Sequence, residues 1–302
     1  MTGEFIVSRT IGEIMRDIFF AVSAALLASQ AHAEQLTVAS WNLEHFTEED
    51  GMGCKPRSQA HYDEIRNIIN AVDANVWLFQ EVDTVGSLAR VMDTSTWQFQ
   101  MENRPDHLQA GKCANEGGER TMQRTVTAVK RRIPISDTRD LSFVDVTGNG
   151  GLRHGVSVTA MLNSQPVEIV NVHLKAGCQD GSEGDACTTL FQQIPYLAAY
   201  AREQDKGGVP ILIGGDFNRR LSEPGDAVMN TLSFNAALGL RVISHSGASK
   251  CSLRGEEAID YQLASNALAD LTRDVDAYEH AFTGPFENWP SDHCPNVVRY
   301  SF

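Results

Sequence analysis

The chain has 302 residues, 42% of them hydrophobic, and a formal net charge of −14. It carries no internal repeat, no long polar tract and no run of about 18 apolar residues, which excludes a solenoid, a disordered tail or a spanning helix and leaves one large soluble domain. The acidic balance also excludes a protein that grips nucleic acid by overall charge, so a polyanion would have to meet a local basic patch and bound cations.

In chain order, the apolar run over residues 18–28 follows Arg16 and ends in Ala31-His32-Ala33, a small-x-small triplet of the signal-peptidase type. Residues 1–33 are therefore expected to be an export leader and residues 34–302 the mature domain. Glu4, Glu13 and Asp17 offset Arg9 and Arg16 in the first segment, whereas a start at Met15 gives a leader with the usual charge order. Residues 36–41 alternate as a strand. Tyr62, Ile65, Ile68, Ile69 and Val72 repeat at helical spacing and lead into an apolar strand over 76–79. Further strands are predicted over 125–129, 156–161, 167–172, 209–213, 259–263 and 296–300. A helix is predicted over 189–203, kinked or split by Pro195, and residues 220–250 read as helix mixed with loop. Many strands and few helices point to packed sheets with helices outside.

Six cysteines, at 54, 113, 178, 187, 251 and 294, show no Cys-x-x-Cys pair or zinc-like spacing. In an exported chain they read as three disulfides. Cys178 with Cys187, across a short polar loop, is the best single pairing among fifteen connectivities.

Oxygen-bearing side chains stand just after the apolar strands: Asn42, Glu81, and Asp216 with Asn218. Each alone is more often a turn or cap residue, but three such strand ends together form a set of hard donors suited to Mg²⁺ or Ca²⁺. His173 follows a strand and His293 precedes one, with Asp260 and Asp292 available to orient an imidazole and raise its basicity. Phosphodiester hydrolysis needs a water nucleophile, a base, and donors for the charge that develops, and this set supplies them.

Trp41-Asn42-Leu43, Gln80-Glu81-Val82, Asn171-Val172-His173-Leu174, Gly215-Asp216-Phe217-Asn218, Ile259-Asp260-Tyr261 and Ser291-Asp292-His293 together resemble the ordered motifs of the DNase-I-like endonuclease/exonuclease/phosphatase superfamily. The resemblance spans nearly the whole mature chain. It implies a four-layer α/β/β/α sandwich and a metal at Asn42 and Glu81, with Glu81 the main ligand. It leaves Asp292 between metal ligand and orienter of its neighbour. It further implies His293 as general base positioned by Asp260, and His173 as donor to a non-bridging oxygen. Asp216 would stand near the nucleophilic water or a second metal, and Asn218 would donate to the phosphate. Mg²⁺ is the expected cofactor, with Mn²⁺ or Ca²⁺ as alternatives. Members often add an Arg or Tyr to the phosphate site. Arg124, Arg153 and Lys175 compete for that role, with Lys175 preferred because it lies two residues past His173.

The motifs fix the reaction type and not the substrate. No loop gathers several aromatics as a membrane-active lipid phosphodiesterase would; Phe286 and Trp289 come nearest. Arg120, Arg124, Lys130, Arg131 and Arg132 form the densest basic stretch and suggest a phosphate track beside the cleft. The expectation is a secreted or periplasmic monomeric nuclease without stable membrane association, the alternative being a lipid or small-molecule phosphodiesterase on the same scaffold.

Overall fold

The computed structural model describes residues 35–106, 111–113, 118–162, 164–234, 238–252 and 255–302. The expected leader, residues 1–33, lies outside the described residues. The first half of the domain contains β1 (Gln35–Phe46), α1 (Gln59–Val72), β2 (Val76–Val82), α2 (Val85–Ala89), β3 (Trp97–Met101), β4 (Gly111–Lys112), β5 (Glu119–Arg120), β6 (Arg124–Lys130) and β7 (Ile135–Leu141). The second half contains β8 (Gly155–Leu162), β9 (Gln165–His173), α3 (Asp185–Lys206), β10 (Ile211–Asp216), α4 (Ala227–Ser233), β11 (Arg241–Val242), β12 (Asp260–Ala264), α5 (Asn266–Leu271), β13 (Asp274–Glu279) and β14 (Asn296–Ser301).

Strand periodicity decides the layering, because successive side chains point to opposite faces. Val38, Val76 and Leu78 enter a layer shared with Val158, Ile169 and Leu212, so this layer lies between the two large sheets. Ala39, Trp41, Trp77 and Phe79 face the other way, onto the buried stripe Tyr62, Ile65, Ile68, Ile69 and Val72 of α1. On the far side, Val170, Val172, Ile211 and Ile213 pack with Leu190, Ile194 and Leu197 of α3. The four layers are helix, sheet, sheet, helix. The sheets run β13-β14-β1-β2-β6-β3 and β11-β12-β10-β9-β8-β7.

Register carries the chemistry to one end. β1 and β2 are parallel with Asn42 opposite Gln80, which puts Glu81 one step further on. In the second sheet Asp216 pairs with His173 on one side and with Asp260 on the other. Polar side chains then tie the sheets together beneath these ends. Gln80 Nε2 donates to Asn171 Oδ1 (2.8 Å), Asn171 Nδ2 to the carbonyls of Phe79 and Val126, and Gln262 Nε2 to those of Val38 and Asn296. These amides are buried and each such bond replaces lost water.

Several local expectations change. The helix predicted over 189–203 starts at Asp185 and continues unsplit through Pro195 to Lys206. The basic stretch does not form one track. Arg124 and Lys130 sit at opposite ends of β6, roughly 20 Å apart at the rise of a strand, and β6 runs antiparallel to β2, so only Arg120 and Arg124 lie at the Glu81 end. At the other end Lys130 pairs with Asp73, and Arg131 donates to the Thr94 carbonyl.

All six cysteines are paired, as Cys54–Cys113, Cys178–Cys187 and Cys251–Cys294. The expected short-loop pair is among them, and three disulfides belong to an oxidising, extracellular-type environment. Among the described residues, no helix is long and apolar enough to cross a membrane.

Candidate active site

The strand ends at the catalytic pole are bent by design. Glu81 adopts φ +60°, Glu44 +47°, His45 +55° and Asn218 +52°, a region that non-glycine residues seldom occupy and that clusters at functional sites. The β1–β2 pairing shifts register between Asn42 and Phe46, and the β2–β6 pairing between Phe79 and Val82. These are bulge-like breaks of the kind that re-aim a side chain. Gly215 permits the close approach of β10 to β9: a Cβ there would meet the Val172 carbonyl oxygen at 2.0 Å.

Both sheets contribute to one cleft. Asn42 Nδ2 lies 3.4 Å from Glu81 Oε1 and 3.1 Å from Asp216 Oδ2. His173 Nε2 is 3.4 Å from Asp216 Oδ2 and 3.9 Å from Glu81 Oε1. His293 Nδ1 bonds Asp260 Oδ2 at 2.6 Å, which leaves Nε2 for a reacting group, 3.8 Å from Asp292 Oδ1. The loop carrying His293 is itself tied down. The Ser291 hydroxyl donates to the Asn42 carbonyl (2.6 Å) and receives the His293 amide, while the Trp41 indole N–H donates to the His293 carbonyl (2.9 Å). Asn218 is buried with its side chain donating to the Leu174 carbonyl and its amide to Asp216 Oδ1.

Charge is unevenly distributed here. Burial would raise the Glu81 carboxyl, but His45 and Arg153, with hydrogen bonds from Gln123 and the His45 backbone, outweigh it and hold it below the usual range. Burial pushes Asp216 up to about 7, and the nearby Asp260 carboxylate adds to the rise. The two histidines diverge. Burial, then Arg153, drive His173 well below the ordinary imidazole value, while Asp260, Asp292 and Asp216 overcome burial and hold His293 well above it.

The sequence set is brought together for Asn42, Glu81, His173, Asp216, Asp260 and His293. Asp292 is half exposed at the rim. Of the three competing cations, Lys175 folds its ammonium back onto the Ala176 carbonyl. Arg124 is spent on the Asp83 carbonyl and on Asp106. Arg153 instead is anchored on the Leu174 carbonyl (2.6 Å) and lies near enough to Glu81 and Asp216 to feel their charge, which makes it a candidate for the phosphate site alongside Lys175. Its strand-flanking position gave no signal of this, because the contact forms across the fold. His45 and Gln123, both on Glu81, were also missed; a polar residue three positions past Asn42 is an ordinary strand end in sequence.

Glu81 and Asp216 offer hard carboxylate oxygens on either side of the Asn42 Nδ2, the Asn42 Oδ1 being taken by the Glu44 amide, and this much buried carboxylate fits a divalent cation. The Asp216, Asp260 and His293 donor atoms also lie within 4.8 Å of one another. The bond between Asp260 and His293 explains that cluster first as an oriented imidazole beside a carboxylate.

Two packed sheets flanked by helices, with carboxylates and histidines converging at one pole, define an α/β/β/α hydrolase-type sandwich. The chain belongs to the Endonuclease/Exonuclease/phosphatase family, whose profile matches residues 39–293. Members of this family are hydrolases acting on phosphodiester bonds and typically use divalent metals. Among solved structures, the human Nocturnin catalytic domain with bound sulfate anion is 17% identical, with TM-score 0.60, over 89% of this chain and 94% of that one. Truncated Caenorhabditis elegans TDP2 is 15% identical, with TM-score 0.62, over 89% and 98%. D. rerio TDP2 complexed with single strand DNA product is 12% identical, with TM-score 0.60, over 89% and 100%. These likenesses concern the fold. A comparison with curated proteins finds no match.

Proposed function

We propose that residues 34–302 form an exported, metal-dependent nuclease domain that hydrolyses phosphodiesters of single-stranded nucleic acid. The observation that carries this reading is the meeting, at one pole, of the His293–Asp260 pair with Glu81, Asp216, His173 and Arg153. A divalent cation held by Glu81 and Asp216, beside Asn42, would supply Lewis-acid polarisation of the phosphoryl group. His293 Nε2 takes the proton of the attacking water as the new P–O bond forms, and Asp260 stabilises the resulting imidazolium. The leaving oxygen departs as the old P–O bond breaks and is protonated from solvent or from His293. Arg153 and His173 donate to the non-bridging oxygens, where charge builds in the transition state. Asn218 keeps the loop after β10 in place through Leu174 and Asp216.

The nucleic-acid assignment is supported by the complex of D. rerio TDP2 with a single strand DNA product and by Arg120, which lines a cavity with Asp83, Asp106 and the ion-paired Arg124 near Glu81. The three disulfides support action outside the cytoplasm. Purified protein is expected to cleave single-stranded DNA or RNA in Mg²⁺, to lose that activity in chelator, and to leave sphingomyelin intact. Hydrolysis of sphingomyelin alone would overturn the substrate class, and no hydrolysis of any of the three would overturn catalysis.

A further inference from the structure

A second cavity, of about 250 Å³, shares Asp260, Asp292 and His293 with the catalytic cleft, while neither Glu81 nor Asp216 lines it. Whatever fills it is therefore attached close to the scissile phosphate. Its volume is below the roughly 300–1,000 Å³ of sites for drug-sized ligands, enough for one flat ring system and not for a further stretch of chain.

Its chemistry differs from that of the Arg120 and Arg124 side. Glu256, Glu257 and Asp292 line it, and so does Asp260, nine-tenths buried, whose Oδ1 has no hydrogen-bond partner among the described residues. Like charge disfavours a phosphate in this cavity, and its four carboxylates accept hydrogen bonds only, so they favour an occupant that donates, with Gln179 and Ser249 among the neutral polar groups beside them. An aromatic face completes the lining. Phe286, 40% exposed, is held edge-on by Trp289 with ring centroids 5.2 Å apart; Trp289 rests on Phe282 at 5.8 Å, and Phe282 on the buried Trp41 at 5.9 Å. The row runs from core to rim, ending in a braced ring able to stack on a planar group. The Cys251–Cys294 bridge ties the loop of Glu256 and Glu257 to the residue after His293, so the acidic wall and the base of the site keep one spacing.

We propose that this cavity is a nucleobase subsite that receives the base next to the scissile phosphate. It selects bases carrying an exocyclic amino group (cytosine, adenine or guanine) over thymine and uracil. The proposal rests on the reading of the chain as a nuclease. Phe286 supplies the stacking face, and Glu256 and Glu257 accept from the amino group, the pairing that carboxylates make with cytosine N4.

The test compares short single-stranded oligo(dC) and oligo(dT) with methyl p-nitrophenyl phosphate, a diester without a base, in wild type, Phe286→Ala and the double variant Glu256→Ala/Glu257→Ala, which removes both acceptors. Wild type is expected to favour oligo(dC) over oligo(dT) in kcat/KM on the order of tenfold. Phe286→Ala should lower the ratio of oligo(dC) to methyl p-nitrophenyl phosphate by about tenfold, and the double variant should bring the dC to dT ratio near one. Equal cleavage of the two oligonucleotides by wild type overturns the subsite while leaving the nuclease reading intact, and so does a Phe286→Ala loss equal on all three substrates. Hydrolysis of the small diester with neither oligonucleotide cleaved overturns the nuclease reading and the subsite together.

Discussion

His173 and His293 lie on opposite sides of Asp216 and have opposite surroundings. Around His173 the dominant neighbour after burial is the Arg153 guanidinium, and the imidazole is kept neutral. Around His293 three carboxylates gather, one of them bonded to Nδ1, and raise its basicity well above that of an ordinary imidazole. Two side chains of one type thus acquire opposite affinities for a proton, the division that the proposed roles of donor and base require. Beyond His293 the acidic surroundings extend to Glu256 and Glu257, whereas on the Glu81 side Arg120 and Arg124 stand among Asp83 and Asp106.

The largest expected effect comes from removing the base. His293→Ala should lower kcat by about 10²–10⁴-fold, and His173→Ala by less. Equal losses, measured on one diester at saturating metal, would erase the distinction between the two histidines. Next in size is Arg153→Ala, expected to cost on the order of 10²-fold in kcat and also to lower thermal stability, because it strands the Glu81 and Glu102 carboxylates near which it is buried. Arg153→Lys should recover stability more than activity. If it restores both fully, the planar fork of the guanidinium has no part in the chemistry.

The smallest effect sharpens the basic side alone. Behind Arg153, burial pushes the Glu102 carboxyl up to about 7 against the pull of Arg104, His154, Arg153 and Arg124. The folded value lies above the unfolded one near 4.5. The contribution of Glu102 is therefore complete below about pH 4.5 and is lost as pH rises through 7, at about 1.4 kcal/mol per unit at most. Glu102→Gln should accordingly gain Tm relative to wild type between pH 5 and pH 8, read by thermal melts in metal-free buffer. A constant difference across that range would remove Glu102 from the account.

The six motif blocks and the strand-heavy pattern were legible because period-two alternation and strand-end chemistry are local properties. Val38 against Trp41, or Ile169 against Val172, could be assigned to faces from spacing alone, and the layers follow from that. The catalytic groups were legible for the same reason, each standing next to its own strand. Some motif residues proved to hold the scaffold: Gln80 and Asn171 clamp one sheet to the other, and Ser291 holds the His293 loop onto Asn42.

The sequence by itself determined the layered α/β architecture, the family, and the strand-end positions of the candidate groups, since all of these are written within a few residues of chain. Only the tertiary structure brings Arg153 near Glu81 and Asp216 while Lys175 folds back onto the Ala176 carbonyl, sets His45 and Gln123 on Glu81, and splits the basic stretch between the two ends of β6. It also decided that the Cys251–Cys294 bridge and the Phe286 ring border one acidic cavity. Each of these depends on which strand ends and loops meet across two sheets, and a contact between residues far apart in sequence leaves no periodic trace along the chain.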